Sequence, residues 1–186
     1  MSTLRWEPQR VPTHFERWRQ TFHAQELAAL PRKLGAWCRF INAKALPGTS
    51  PQQVQALVTS LQALSRRMQL LLEERGTPQA AFLVQQLFAD LRAWRRGVQE
   101  TLQGLSADPV AGEQEVFRAK LDRLLEHLEA RVRETVDTAG AGQLRSQDAE
   151  NFYRLLGAYR VVSEGLVEYA GSAGVIDWAG WREERF

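Results

Sequence analysis

The side chains of this sequence that could ligate a transition metal are three histidines and one cysteine. Helical di-iron and di-manganese proteins place a glutamate three residues before each metal-binding histidine, so that both side chains reach the ion from one helix face. None of the histidines, which are His14, His23 and His127, has a glutamate at that position. His14 and His23 are nine residues apart, which places them on opposite faces of a helix. We therefore predict no metal site.

Nucleophilic and nucleotide-binding chemistry is not indicated either. Cys38 has no second cysteine and no neighbouring base, and it lies among apolar residues, which is typical of a small core side chain. Gly140 and Gly142 form a Gly-x-Gly, but this pair follows a predicted helix and lacks the third glycine of a dinucleotide-binding turn. The sequence therefore predicts a protein that is not an enzyme, with no catalytic residue and no cofactor.

One local cluster combines basic and aromatic side chains, namely Arg92, Arg95 and Arg96 around Trp94. The cluster is short and one-sided, and the formal net charge of the chain is only +2, whereas nucleic-acid-binding domains usually show a larger basic excess. We interpret it as a solvated helix face with Trp94 in the core, and we expect no nucleic-acid partner.

Charge is distributed unevenly along the chain. The first 108 residues carry six more basic than acidic side chains, and the remaining residues carry four more acidic than basic ones. One interpretation is that the two halves attract each other in the folded protein. The alternative is that the first half faces something anionic, such as lipid headgroups.

The elements that must position these residues are helices, because apolar residues recur at three- and four-residue spacing. Two helices are predicted at 13–30 and 33–43. Ser50-Pro51 and Thr77-Pro78 each combine a capping residue with a proline at the first helical position, which marks the starts of two long helices. Because only residues 75–77 join these two helices, we expect them to pack as an antiparallel hairpin.

A third long helix is predicted from Glu113, and a fourth follows the capping residue Ser146. The predicted fold is an all-α antiparallel bundle of about six helices plus a short C-terminal helix. We interpret residues 1–186 as one helical domain, with a loop at 106–112 between its basic and acidic halves.

No apolar run approaches the roughly 20 residues that a membrane-spanning helix requires. The first ten residues also lack the apolar stretch of a signal peptide. We therefore expect a soluble chain.

The tail from residue 151 is the most specific part of the sequence. Gly157 and Gly165 interrupt its helical pattern at a cost of about 1 kcal/mol each relative to alanine, for which close approach of a neighbouring helix is one explanation. Arg160 and Glu164 are four residues apart and could pair. Residues 171–174 (Gly-Ser-Ala-Gly) predict a helix stop.

Asp177 is a good N-cap for a short final helix, on which Trp178 and Trp181 would share one face. One interpretation is that these tryptophans anchor the final helix to the bundle, and the alternative is a surface for a partner or ligand. The candidate docking residues of the tail are Tyr159, Arg160, Glu164, Trp178 and Trp181.

The tail resembles the C-terminal end of bacterial fusaric acid resistance-type proteins, which are inner-membrane proteins related to aromatic acid exporters. The resemblance lies in Leu-Leu-Gly-x-Tyr-Arg and Ser-Glu-x-Leu-Val within residues 153–169, and in the ending from Ile176 to Phe186. It covers about the last fifth of the chain. Because this sequence has no spanning helix, the resemblance implies a soluble portion alone, either excised or truncated, and no substrate-binding residue.

Two hypotheses of function follow. The first is a non-catalytic domain of an efflux-type membrane transporter, located at the cytoplasmic face of the inner membrane, with a structural, self-association or regulatory role. Its expected partner is the membrane-embedded portion of the same or a neighbouring protein, with a second copy of the chain as a further candidate. The alternative is a free-standing cytoplasmic helical protein that binds a small molecule or a protein partner, and an enzyme ranks third.

Overall fold

The computed structural model describes residues 48–76, 81–107, 112–139 and 146–183, together with seven helical positions between residues 25 and 36. The four ranges contain six helices and no strand, which confirms the predicted all-α bundle. The helices are α1 (Pro51–Gly76), α2 (Ala81–Gln86), α3 (Phe88–Ala107), α4 (Glu113–Thr138), α5 (Ser146–Gly174) and α6 (Trp178–Glu183).

Several sequence predictions lie outside the described residues. These are the two histidines His14 and His23, the cysteine Cys38, and the greater part of the helices predicted at 13–30 and 33–43. The side chain of Trp181 is also outside the described part, although its backbone belongs to α6.

Two of the predicted helix starts, those at Ser50-Pro51 and at Asp177, are confirmed by capping hydrogen bonds, while the start predicted at Thr77-Pro78 lies outside the described residues. At the start of α1, the backbone N–H of Gln53 donates to Ser50 Oγ at 3.2 Å, and the backbone N–H of Ser50 donates to Gln53 Oε1 at 2.6 Å. This reciprocal pair is a capping box. At the start of α6, the backbone N–H of Gly180 donates to Asp177 Oδ1 at 2.8 Å. Asp177 is therefore the N-cap of α6, as predicted.

The helix predicted after Thr77-Pro78 has a local irregularity at Leu87, which separates α2 from α3. Helical hydrogen bonds nevertheless continue across it, because the N–H of Leu87 donates to Leu83 O and the N–H of Leu91 donates to Leu87 O, both at 2.9 Å. Leu87 itself is completely buried. The two helices therefore act as one nearly continuous element.

Helix α5 is the centre of the bundle, and both α1 and α4 pack along it. Arg67 and Glu74 of α1 pair with Glu168 and Arg154 of α5, so residue numbers rise along α1 as they fall along α5. This order makes α1 and α5 antiparallel. The most extensive helix pairing among the described residues is this one.

The same reasoning gives the direction of α4. Glu129 of α4 pairs with Arg160 of α5, and Gln114 approaches Gly171, so α4 is also antiparallel to α5. Helix α3 lies against α4 in turn, with Lys120 Nζ 2.6 Å from Glu100 Oε2.

The predicted hairpin of α1 with α3 is wrong, because α1 packs chiefly against α5 and makes few direct contacts with α3. A short connection limits the distance between two helix ends, but it does not decide which face of a later helix covers the apolar stripe of α1. Helix α5 provides the longer apolar surface, and it covers α1 along most of its length.

The predicted stop at residues 171–174 is confirmed at the last residue of that segment, since α5 ends at Gly174. Ser172 Oγ donates to Glu168 O at 3.1 Å, and Ala173 is completely buried. The close packing of Ala173 against Leu57 and Ile176 supports this last turn in spite of its two glycines.

The main core lies between α1, the α2–α3 element, α4 and α5. Trp94 and Phe152 are the largest completely enclosed side chains, surrounded by leucines and valines from the four elements. Two of the buried hydroxyls donate within their own helices: Ser60 Oγ donates to Leu57 O and Thr101 Oγ1 to Gly97 O, both at 2.9 Å. The core therefore has both apolar packing and paired polar groups.

Helix α6 is held against the start of α1. The indole N–H of Trp178 donates to Ala173 O at 2.8 Å, and Gln53 Nε2 donates to Val175 O at 3.2 Å. Ile176 packs with Leu57 of α1 in a small second core. A helix of six residues has little stability alone, so these contacts position it.

Within the described ranges, none of the helices combines the length and apolar character that crossing a bilayer requires.

Candidate functional site

An open groove of about 320 Å³ runs between α4 and α5. We call it the α4–α5 groove. Buried Val132 and Leu156 lie at its base, and Tyr153 flanks it on α5. The remaining lining residues are Glu129, Arg133, Gly157 and Arg160. The groove therefore combines an apolar base with an aromatic side and charged rims.

Gly157 leaves the groove open at its middle. A Cβ atom added to Gly157 would meet nothing within 4 Å, although the residue lies inside a helix of 29 residues. Gly165, two turns later on the same helix, differs completely, because a Cβ there would lie 2.9 Å from Arg67 Cδ and 3.4 Å from Leu64 Cδ1. Close approach of α1 thus explains Gly165 but not Gly157.

Two apolar side chains on α5 are exposed on either side of Gly157. Tyr153 is 47% exposed and Val161 is 36% exposed, and each is four residues from Gly157. Residues four apart lie on neighbouring turns of one helix face. The three residues therefore form an exposed ridge that is interrupted in the middle, with the α4–α5 groove beside it.

Arg160 forms an ion pair with Glu129 across the groove, from α5 to α4. The hydrogen bond that Arg160 donates to Glu129 and the charge of that carboxylate raise the pKa of the Arg160 guanidinium, and Glu164 adds only a weaker attraction. The predicted pair of Arg160 with Glu164 is therefore replaced by an interhelical pair. Glu164 is exposed one turn further along α5.

Arg133 adds a positive charge that no described side chain neutralises. It is exposed at the rim of the α4–α5 groove and makes no ion pair with any described residue. The three charged side chains of the groove are thus two arginines and one glutamate, and the glutamate is engaged by Arg160. The rim carries a net positive charge.

The structure places Tyr159 in the core, with only 8% of its surface exposed. Its ring lies 4.3 Å from the ring of Trp94, centroid to centroid, at an angle of 39°. Burial raises the pKa of the Tyr159 hydroxyl, and the nearby charges of Arg75 and Arg95 partly oppose this shift. Tyr159 therefore does not belong to an exposed docking surface, and Trp94 is buried as predicted.

Trp178 does not form one surface with Arg160 and Glu164. Trp178 is half-buried and packs on the small core of Leu57, Ala173 and Ile176, which favours its role as an anchor of α6. The side chain of Trp181 lies outside the described part of the chain. Of the five sequence candidates, Arg160 and Glu164 are exposed on α5, and Arg160 also lines the groove.

Sequence reasoning missed Tyr153, Gly157 and Arg133 as site residues. The signal available was the spacing of Tyr153 and Val161 around Gly157, which could have marked an exposed ridge. The apolar stripe of α5 concealed it, because Tyr153 and Val161 are adjacent in sequence to the buried residues Phe152 and Val162.

Among the described residues, His127 is the one histidine, and it lies beside the carboxylate of Asp90. His127 Nε2 lies 3.2 Å from Asp90 Oδ1, and Arg131 Nε lies 3.8 Å from the other oxygen of Asp90. Across the described ranges, His, Cys, Asp and Glu side chains do not gather in a group of three that could hold a metal ion.

Comparison of the chain with family models, with curated proteins and with solved structures found no match. The resemblance of the tail to fusaric acid resistance-type proteins therefore gains no support from these comparisons and stays a hypothesis.

Proposed function

We propose that this chain is a non-catalytic binding module that takes an amphipathic helix of a partner protein into the α4–α5 groove. The observation that carries the proposal is Gly157, an exposed glycine in the middle of a long helix with open space around it. Binding of a helix in an apolar groove is a common mode of protein recognition.

The first argument is that Gly157 lowers the stability of α5 in the isolated chain. A glycine inside a helix is about 1 kcal/mol less favourable than an alanine. Gly97 and Gly165 have an internal reason for this cost, since a Cβ at either position would collide with side chains of a neighbouring helix. Gly157 has no such neighbour, so a group outside the described fold is the better explanation for the space that it leaves.

Charges on α5 argue against a second copy of the chain as the occupant. If two α5 helices crossed antiparallel at Gly157, Arg154 of one would face Arg160 of the other, and Glu150 would face Glu164. A parallel arrangement would place each charge opposite its own copy. Like charges that face each other across an interface are destabilising, so this face of α5 is not self-complementary.

The groove instead indicates the chemistry of a different partner. Its base is apolar, and its rim carries the uncompensated charge of Arg133 beside the Arg160–Glu129 pair. A complementary helix presents an apolar side chain over Gly157 and a carboxylate within reach of Arg133. The partner is therefore an amphipathic helix with an acidic edge, and a small molecule is the weaker alternative because the groove is long and open.

The experiment is photo-crosslinking of the full chain in the cells that produce it, with the photoreactive residue at position 153 and, as a control, at exposed Arg123 on α4. We expect position 153 to crosslink to one helical segment of one protein, and position 123 not to do so. A peptide of that segment should then bind the purified chain, and Gly157→Leu should abolish binding by filling the open space.

Gly104→Leu is the matched control, because Gly104 is also an exposed helical glycine but lies on α3. It should leave peptide binding unchanged. Equal crosslinking from positions 153 and 123, or undiminished binding by Gly157→Leu, would contradict the proposal.

The efflux-type transporter hypothesis remains untested. It depends on the tail resemblance alone, and no contact or surface described above favours it over a free-standing binding protein. A partner helix that belongs to a membrane protein would be the crosslinking result that revives it.

A further inference from the structure

The ion pair between Glu129 and Arg160 crosses the α4–α5 groove close to its centre, and we call it the bridging pair. Arg160 follows Gly157 by three residues on α5, and Glu129 precedes Val132 by three residues on α4. Three residues correspond to about 4.5 Å along a helix axis. A guest helix of only two turns, about 11 Å long, would therefore meet the bridging pair if it were centred on Gly157.

The bridging pair is exposed, so it can be opened with little loss of stability. The side chains of Glu129 and Arg160 are 37% and 50% exposed. Exposed ion pairs contribute little net stability, because water solvates both charges when they separate. Covering the intact pair with an apolar helix would instead remove both charges from water, which is unfavourable. Separation of the pair is thus the easier way to admit a guest helix.

Each member of the bridging pair has a second residue of opposite charge on its own helix. Arg133 follows Glu129 by four residues on α4, and Glu164 follows Arg160 by four residues on α5. Both second residues are exposed, and neither makes an ion pair with any described residue. Residues four apart on a helix can form an ion pair. Glu129 raises the pKa of the Arg160 guanidinium most, and Glu164 raises it further, so Glu164 already lies nearby.

We propose that the bridging pair is a latch, which closes the α4–α5 groove and opens by an exchange of ion-pair partners. In the closed groove Glu129 binds Arg160. When the groove opens, Glu129 instead binds Arg133 of its own helix, in the more favourable order for such a pair. Arg160 likewise binds Glu164, so each charge keeps a partner without the bridge.

The latch deepens the proposed function, on which the identity of the guest rests. A guanidinium has several N–H donors, so Arg133 can bind Glu129 and also donate to a carboxylate of the guest helix. The exchange of partners itself depends only on residues of this chain. It can therefore be tested without a guest.

The test measures access to the groove. Gly157→Cys places a thiol there, which the open space around Gly157 tolerates, in a chain that also carries Cys38→Ser. The thiol is labelled separately with N-ethylmaleimide and with N-pyrenylmaleimide, which share one reactive group and are uncharged but differ in bulk. The ratio of the bulky rate to the small rate reports access, because a change in thiol reactivity alters both rates equally.

Removal of one charge should open the latch. Glu129→Gln should raise the ratio by roughly two- to fivefold, because an exposed ion pair holds two helices together only weakly. Glu134→Gln is the matched control, since Glu134 is also exposed on α4 but pairs with Arg131 of the same helix and does not line the groove. It should leave the ratio unchanged. An equal increase with Glu134→Gln, or no increase with Glu129→Gln, overturns the proposal.

Exchange of the two charges separates a latch from a merely structural contact. Glu129→Arg combined with Arg160→Glu restores the bridge with its polarity reversed. Each exchanged charge then lies four residues from a like charge, Arg133 or Glu164, so both alternative pairs are lost. The ratio should therefore fall below that of the chain with native charges. A ratio as high as that of Glu129→Gln overturns the proposal.

These outcomes distinguish failure of the latch from failure of the proposed function. If the ratio changes as expected but position 153 crosslinks to no protein, the latch stands and the helical guest is wrong. If position 153 crosslinks to a helix but the ratio does not respond to Glu129→Gln, the guest stands and the latch is excluded.

Discussion

The indole N–H of Trp94 on α3 donates a hydrogen bond of 3.0 Å to Ser163 Oγ on α5. Ser163 Oγ in turn donates to Tyr159 O at 3.0 Å, so the hydroxyl serves as acceptor and donor at once. Trp94 is only 1% exposed, and water cannot replace Ser163 as its partner without a cavity. This bond positions the Trp94 ring against Tyr159.

The first prediction concerns this bond. Ser163→Ala should lower the free energy of unfolding by about 1–3 kcal/mol, because it leaves the buried indole N–H without an acceptor. Urea denaturation measures the change. Ser172→Ala is the control, since Ser172 lies on the same helix and bonds only to Glu168 O within its own turn. Equal effects of the two changes would show that the interhelical bond contributes nothing.

The two glycines of α5 should respond oppositely to alanine. Gly157→Ala should raise the free energy of unfolding by about 0.5–1 kcal/mol, because the added methyl meets open space and the helix is favoured. Gly165→Ala should not be stabilising to this extent, because the methyl would force Arg67 and Leu64 of α1 to move. Thermal melts of both variants give the comparison. If Gly165→Ala stabilised the protein as much as Gly157→Ala, the close approach of α1 to Gly165 would be contradicted.

The cap of α6 can be tested with two substitutions of one residue. Asp177→Ala should destabilise the protein by about 0.5–2 kcal/mol, because the N–H of Gly180 loses its acceptor. Asp177→Asn retains a capping oxygen and should destabilise the protein much less. Because the cap belongs to α6, we expect amide hydrogen exchange to become faster at residues 178–183, while the amides of the core stay protected. Identical behaviour of the two variants would exclude a capping role.

Alkaline pH should reveal the burial of Tyr159. Burial raises the pKa of its hydroxyl in the folded protein, so the folded state holds this proton above pH 10 more tightly than the unfolded state does. The stability that this group contributes is therefore fully present below about pH 10 and is lost as the pH rises through the folded pKa. Tyr159→Phe should make the decline with pH shallower. Chemical denaturation between neutral pH and pH 11 tests this, with exposed Tyr153→Phe as the control.

The starts of α1 and α6 could be predicted from the sequence because capping is local chemistry. Ser50 and Gln53 are three residues apart, as are Asp177 and Gly180, and in each case the hydrogen bond forms within one turn. The apolar period along α4 and α5 likewise predicts which residues are buried, because burial of a helix face follows from 3.6 residues per turn. Fold class and helix bounds are thus largely properties of short segments.

The partners of these helices were decided only by the tertiary structure. Arg160 has a carboxylate four residues away in Glu164, yet it pairs with Glu129, 31 residues away in sequence, because α4 brings that carboxylate closer. Gly157 and Gly165 lie on the same helix, and the position of α1 makes Gly165 crowded while it leaves Gly157 open. Arg75, Arg95 and Tyr159 likewise line one cleft although they belong to three different helices. Such sites depend on the order in which helices pack, which is set by long-range burial and cannot be read from the spacing within a segment.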